Sequence, residues 1–159
     1  MGTKKPTILV SACLLGEPCR YDGQSKPCAS IIALSEWATL VPVCPESDGG
    51  LPTPRIPSER QGDRVRNRLG ADVTLEYCKG AKLAQETAKA QGCICAILKE
   101  KSPSCGTHFI YDGTFRGKVI PGLGVTAELL QSAGFLVFSE DEIDDAWLST
   151  YLPTAKKSK

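Results

Sequence analysis

Three of the eight cysteines in this 159-residue chain stand where a soft-metal centre can be built. Cys13 follows the apolar triplet Ile8-Leu9-Val10, Cys44 directly follows Val43, and Cys105 lies in a polar loop after Leu98. Thiolates favour iron–sulfur clusters and zinc over hard cations such as magnesium. With three protein thiolates, a four-iron cubane keeps one iron open, just as catalytic zinc keeps a position that structural zinc closes. Local spacing identifies no metal. There is no CxxC pair, so the zinc-ribbon and thioredoxin patterns are absent. The closely spaced cysteine run of bacterial ferredoxins is missing too. Any site from Cys13, Cys44 and Cys105 must therefore be assembled by the tertiary fold. The competing reading is that cysteines are small buried apolar side chains, and it suits Cys78, Cys93 and Cys95.

The elements that would position these sulfurs follow from periodicity. Short β-branched runs at 8–10, 40–43, 94–98 and 135–138 read as strands, and helical patterns lie between them. This alternation predicts an α/β fold, a single domain with a mainly parallel, Rossmann-like sheet flanked by helices. Pro42 cannot donate to a ladder and places its strand at an edge. Pro27 suits the first turn of a helix with Ile31, Ile32, Leu34 and Ala38 on its apolar face. Thr74 reads as the N-cap of a helix that ends at Gly92. Phe109-Ile110-Tyr111 followed by Asp112-Gly113-Thr114-Phe115 reads as a hairpin turn. Ser139 and Glu142 form a capping box for the final helix through Trp147. The core is expected over about 7–152, with 153–159 a tail. In a parallel sheet ligands bind beyond the carboxyl ends of the strands, which is where Cys13, Cys44 and Cys105 would fall.

Bulk composition narrows the function classes. The hydrophobic fraction is 42%, the charged fraction 23% and the formal net charge +1. No global field favours nucleic acid or an anionic membrane. No stretch reaches the roughly 18 apolar residues of a membrane span, and the N-terminus lacks a signal-peptide core. The expected location is the cytoplasm, where cysteines persist as thiols or metal ligands. Arg60, Arg64, Arg66 and Arg68 are the best case for a nucleic-acid contact. Acidic Glu59 and Asp63 dilute them, no aromatic residues interleave to stack bases, and a solvated face is the favoured reading.

Single residues carry competing roles. Glu46, after a Cys-Pro turn, is either a solvated loop acid or a proton acceptor. Ser102 and Ser104 flank Pro103 in a polar loop, where serine commonly makes local turns. Arg55, within Pro52-Thr53-Pro54-Arg55-Ile56-Pro57, either clamps the loop or contacts a substrate. His108, the one histidine, is a turn residue or a ligand. Gly122-x-Gly124 before a helix reads as turn chemistry, since the full dinucleotide fingerprint is missing.

Taken in order, several blocks resemble one bacterial family. They are Ser11-Ala12-Cys13-Leu14-Leu15-Gly16, Cys19-Arg20-Tyr21-Asp22-Gly23, Val43-Cys44-Pro45-Glu46 and Gly49-Gly50-Leu51-Pro52-Thr53-Pro54-Arg55. Asp72-Val73-Thr74, Gly80-Ala81, Leu98-Lys99-Glu100-Lys101-Ser102-Pro103-Ser104-Cys105-Gly106 and Ile110-Tyr111-Asp112-Gly113 continue the match over about 7–142. The family, formerly catalogued as a domain of unknown function, is typified by thiouracil desulfurases. The resemblance implies a [4Fe–4S] cluster on Cys13, Cys44 and Cys105, whose open iron takes the sulfur of 2-thiouracil or a similar base. It places acid–base roles on Glu46 and Ser102, while Ser104 and Arg55 are candidates for binding the substrate. The expected partner is a small thiolated base or nucleoside, with thiolated RNA secondary. Two other classes compete. One is a non-catalytic zinc module on the same three cysteines with Cys19 or His108 as fourth ligand; the other is a redox or persulfide-carrying thiol protein.

Overall fold

Alternation along the first strand explains the layering. In the computed structural model, which describes residues 5–153, β1 spans Thr7–Ser11. Ile8 and Val10 point to one side with Ile31, Leu34, Trp147 and Leu152. Leu9 points to the other, among Ala84, Ala88, Ala127 and Leu130. A strand buried on both faces needs apolar residues at every position, and Ile8-Leu9-Val10 supplies them.

β1 pairs in parallel with β2 (Thr39–Val43) on one side and β5 (Cys95–Leu98) on the other; β8 (Leu136–Ser139) completes the sheet. The order is β2-β1-β5-β8, so β2 and Pro42 lie at an edge. Helices α1 (Ala29–Ile32) and α5 (Asp145–Tyr151) cover one face. Helices α3 (Thr74–Ala90) and α4 (Val125–Ser132) cover the other. The expected Rossmann-like α/β domain is what the chain forms, and its chain order reverses between β1 and β5, the place where such sheets bind ligands.

Two antiparallel hairpins stand outside the sheet. One joins β3 (Ser58–Gln61) to β4 (Arg64–Asn67), the other β6 (Phe109–Tyr111) to β7 (Val119–Pro121). Glu59 ties them together: its Oε1 accepts from the backbone N–H groups of Gly113 and Phe115 at 2.9 and 3.0 Å.

Several local expectations are corrected. The hairpin that begins at Phe109 turns later than Asp112-Gly113, because the Asp112 carboxylate takes the Thr114 N–H and hydroxyl while Glu59 takes the backbone N–H groups of Gly113 and Phe115. Tyr111 pairs with Val119 instead. Thr74 is the first helical residue rather than the cap, and its hydroxyl accepts from Val65 N–H at 2.8 Å. Pro27 lies before α1, which Cys28 precedes as N-cap. The Ser139–Glu142 capping box starts the single turn Glu140–Glu142, whereas Asp144 caps α5 by accepting from Trp147 N–H at 2.9 Å. Cys78 is exposed on α3, not a core residue. Of the expected tail, 154–159 lies outside the described residues.

Candidate active site

All three cysteines singled out by sequence follow neighbouring strands. Cys13 occupies the single turn Ala12–Leu15 after β1, Cys44 follows β2 and precedes the short helix α2 (Pro45–Asp48), and Cys105 lies in the loop after β5. They line one cavity of about 520 Å³ at the carboxyl edge of the sheet, together with Glu46 and Ser102. That size lies within the range of sites that enclose small ligands. The hairpins supply its outer wall through Ser58, Glu59, Tyr111 and Phe115.

The Cys105 loop is held by two devices. Glu100, itself buried, accepts from the N–H groups of Lys101, Thr107, His108 and Phe109 and from the Thr107 hydroxyl, at 2.9 to 3.2 Å. Burial acts on its carboxyl most strongly and upward; these donors together outweigh it and hold the pKa below the usual value. The second device is the N-terminus of α4. Gly124, Val125 and Thr126 donate their N–H groups to the carbonyls of Gly106, Pro103 and Ser104. A Cβ at Gly124 would lie 2.4 Å from the Ser104 carbonyl, so only glycine admits this approach. Gly124 of the Gly122-x-Gly124 pair is thus a packing residue.

Ser102 accepts from the N–H groups of Ser104 and Cys105 at 3.1 and 3.0 Å. Those bonds occupy its lone pairs and leave the O–H free to donate into the cavity. Ser104 is not brought to the cavity: it is fully buried, and its hydroxyl bonds Thr126 Oγ1 at 2.7 Å.

Glu46 sits on α2. Its Oε1 accepts from Arg55 Nε at 3.1 Å and from the Tyr77 hydroxyl at 2.8 Å. Arg55 also donates to the carbonyls of Pro52 and Cys19, so of its two sequence readings the structure supports the loop clamp. It does not line the cavity of the cysteines.

The thiols respond to their setting. Burial pushes Cys105 up to about 12, against which a hydrogen bond from Ser11 works in the lowering direction. Contact with Cys13 is the main cause raising Cys19 to about 11; contact with Cys19, then burial, raises Cys44 further. Cys44 and Cys105 are therefore protonated at neutral pH without a metal, and binding one must release their protons. Once ligated, Cys44 can accept from the Ser47 hydroxyl, which lies 3.4 Å away.

The donor set fits an iron–sulfur cluster. It consists of soft sulfurs at the ends of three adjacent strands, facing one cavity whose rim carries Lys26, Arg68 and Lys101 against the negative charge of thiolates. Among the described residues, no group of three or more His, Cys, Asp or Glu side chains is arranged for a single metal ion. A cubane is wider than one ion and spreads its ligands further apart. His108, one candidate fourth zinc ligand, is bound to Glu142 at 2.6 Å and lies outside the cavity; Cys19 lines it.

Sequence reasoning assigned no role to Tyr77, Glu100 or Ser11. Glu100 and Ser11 lie inside the family blocks, so position within a block was the available signal. Tyr77 had none beyond being a large polar-tipped side chain in an alanine-rich helix.

A Rossmann-like sheet whose strand ends present three cysteines and a carboxylate to one cavity defines an enzyme site of the α/β class with a soft-metal donor set. Residues 8–142 match the 2-thiouracil desulfurase family model, and the chain belongs to that family. It is 45% identical over 148 residues to the uncharacterized protein YbbK of Bacillus subtilis (strain 168), covering 87% of this chain and 98% of YbbK. Among solved structures it is similar to TudS, a [4Fe-4S]-dependent thiouracil desulfidase. The identity there is 47% and the TM-score 0.84, over 98% of this chain and 100% of that one.

Proposed function

We propose that this protein is an iron–sulfur-dependent desulfurase that converts a thiolated pyrimidine such as 2-thiouracil, with water, into the oxo base and sulfide. The observation that carries the reading is the shared cavity of Cys13, Cys44, Cys105, Glu46 and Ser102. Family membership and the similarity to TudS support it.

Cys13, Cys44 and Cys105 would hold a [4Fe–4S] cluster, which when bound supplies a thiophilic Lewis acid with one iron free for the substrate sulfur. Glu46 has one oxygen engaged by Arg55 and Tyr77; its other oxygen takes the proton of the attacking water. Ser102, with its lone pairs occupied, donates its O–H to the base. The hairpin walls restrict bulk water and present Tyr111 and Phe115 to the flat ring. The water oxygen replaces sulfur on the carbon and sulfide leaves, so no electrons are gained or lost.

A small base or nucleoside is the favoured substrate. Arg60 is engaged by Leu123 O and Glu128, which supports reading it as a structural residue rather than part of an RNA-facing stripe. None of the described helices is long and apolar enough to cross a membrane. No disulfide joins any of the eight cysteines, which leaves Cys13, Cys44 and Cys105 available as ligands.

The test is sulfide release from a panel of thiopyrimidines by anaerobically reconstituted protein. Release of sulfide together with the oxo base, in equal amounts, is expected. A colourless, zinc-loaded protein releasing no sulfide would favour the zinc module.

A further inference from the structure

Glu46 belongs to a four-residue helix, too short to hold a side chain still by its own hydrogen bonds. What fixes it is α3. The backbones of α2 and α3 touch: a Cβ at Gly80 would fall 1.8 Å from the Pro45 carbonyl oxygen, and one at Gly49 2.0 Å from that of Glu76. Such contact leaves no room for α2 to slide over α3.

From the same helix Tyr77 reaches Glu46. Tyr77 is 1% exposed, packs with Val65 and Val73, and donates its hydroxyl to Glu46 Oε1 at 2.8 Å. Burial first, and then the charge of Glu46, raise its pKa, so the phenol remains a donor. Arg55 Nε, on the loop after α2, donates to the same oxygen at 3.1 Å. Both donors converge on Oε1, and no hydrogen bond to Oε2 is formed by any described residue.

We infer that Tyr77 is a positioning residue for the desulfuration: with Arg55 it pins Oε1 of Glu46 and so turns Oε2 alone toward the reacting water. This rests on the proton-accepting role of Glu46 given above. Tyr77 itself does not line the substrate cavity, and its phenol, which also faces Ser58 of the cavity wall, reaches the reacting groups chiefly through the carboxylate. Misplacing a reacting group by about 1 Å can cost on the order of 100-fold in rate. Removing the phenol hydroxyl frees the carboxylate to rotate about its last torsion, which is broad and soft.

The experiment compares Tyr77→Phe and Glu46→Gln with the parent protein, all reconstituted with iron and sulfide. For Tyr77→Phe, kcat for 2-thiouracil is expected to fall by roughly 10- to 100-fold with KM within about twofold of the parent. Iron content, the visible cluster absorbance and the melting temperature serve as readouts independent of turnover, and iron and absorbance should stay at parent levels. An unchanged kcat, a KM that rises in step with the loss, or a loss of iron overturns the positioning role. Should Tyr77→Phe be too unstable to assay under the parent's conditions, the same kinetics are taken below its own melting temperature, with the same expectation and the same contrary results. The two levels separate cleanly. A fully active Glu46→Gln refutes the proton-accepting role itself, whereas an impaired Glu46→Gln beside an unimpaired Tyr77→Phe refutes only the positioning.

Discussion

Cys95 and Cys105 stand at opposite ends of the same strand and are nearly alike as thiols. Both are buried, and burial pushes both up to about 12. Cys95 opens β5 and packs with Ile8, Ile97 and Trp147; Cys105 lies past its far end and faces the cavity. Burial and thiol basicity therefore do not tell a core cysteine from a ligand. Position does. A parallel sheet gathers the loops that leave its strands at one edge, and a residue at the entry end cannot join them. Cys93 shares the entry end with Cys95, and Cys78 lies exposed on α3.

Substitution at the two ends should divide accordingly. Cys13→Ala, Cys44→Ala and Cys105→Ala are each expected to lose the brown colour and all turnover above background, measured by iron analysis and sulfide release. Cys95→Ala should keep both. A colourless but active Cys105→Ala would erase the distinction. Next in size comes the carboxylate: Glu46→Gln should keep its iron and lose about 10³-fold in kcat, a magnitude typical of a general base. Ser102→Ala removes one directed donor and is expected to cost on the order of 10²-fold in kcat, with cluster absorbance retained.

The loop of Cys105 is sensitive to pH through Glu100. Its folded-state pKa is lowered, so its contribution to stability is fully present above the unfolded value, about 4.3, and is lost as pH falls through the lower folded value. Melting temperatures below that point should drop for the parent protein. Glu100→Gln should begin lower at neutral pH and show a shallower drop, and parallel curves would contradict the assignment. The smallest effects belong to the entry end. Cys95→Ala should cost about 1 kcal/mol by chemical denaturation, and Cys78→Ser no more than about 0.5 kcal/mol.

Sequence periodicity carried the sheet and the edge position of Pro42, because apolar runs of β-branched residues permit few other structures. It carried the location of Cys13, Cys44 and Cys105 at strand ends for the same reason. The misread hairpin falls where a long-range carboxylate takes over local hydrogen bonds. Glu59 reaches from another hairpin to claim Gly113 and Phe115, and so undoes a turn that Asp112-Gly113 favours locally. Ser104 and Arg55 sit close to functional residues in sequence, yet one turns inward to Thr126 and the other toward Glu46. The Tyr77–Glu46 contact spans 31 positions and depends on helix-to-helix backbone contact at Gly80, which no local pattern announces.

Mössbauer spectroscopy of the reconstituted protein, recorded with and without 2-thiouracil, addresses the open coordination position itself. Three cysteine ligands require that one iron in four change its signal when the substrate is added while the other three stay as they were. Four irons that respond alike, or none that responds while sulfide is still released, would contradict the account.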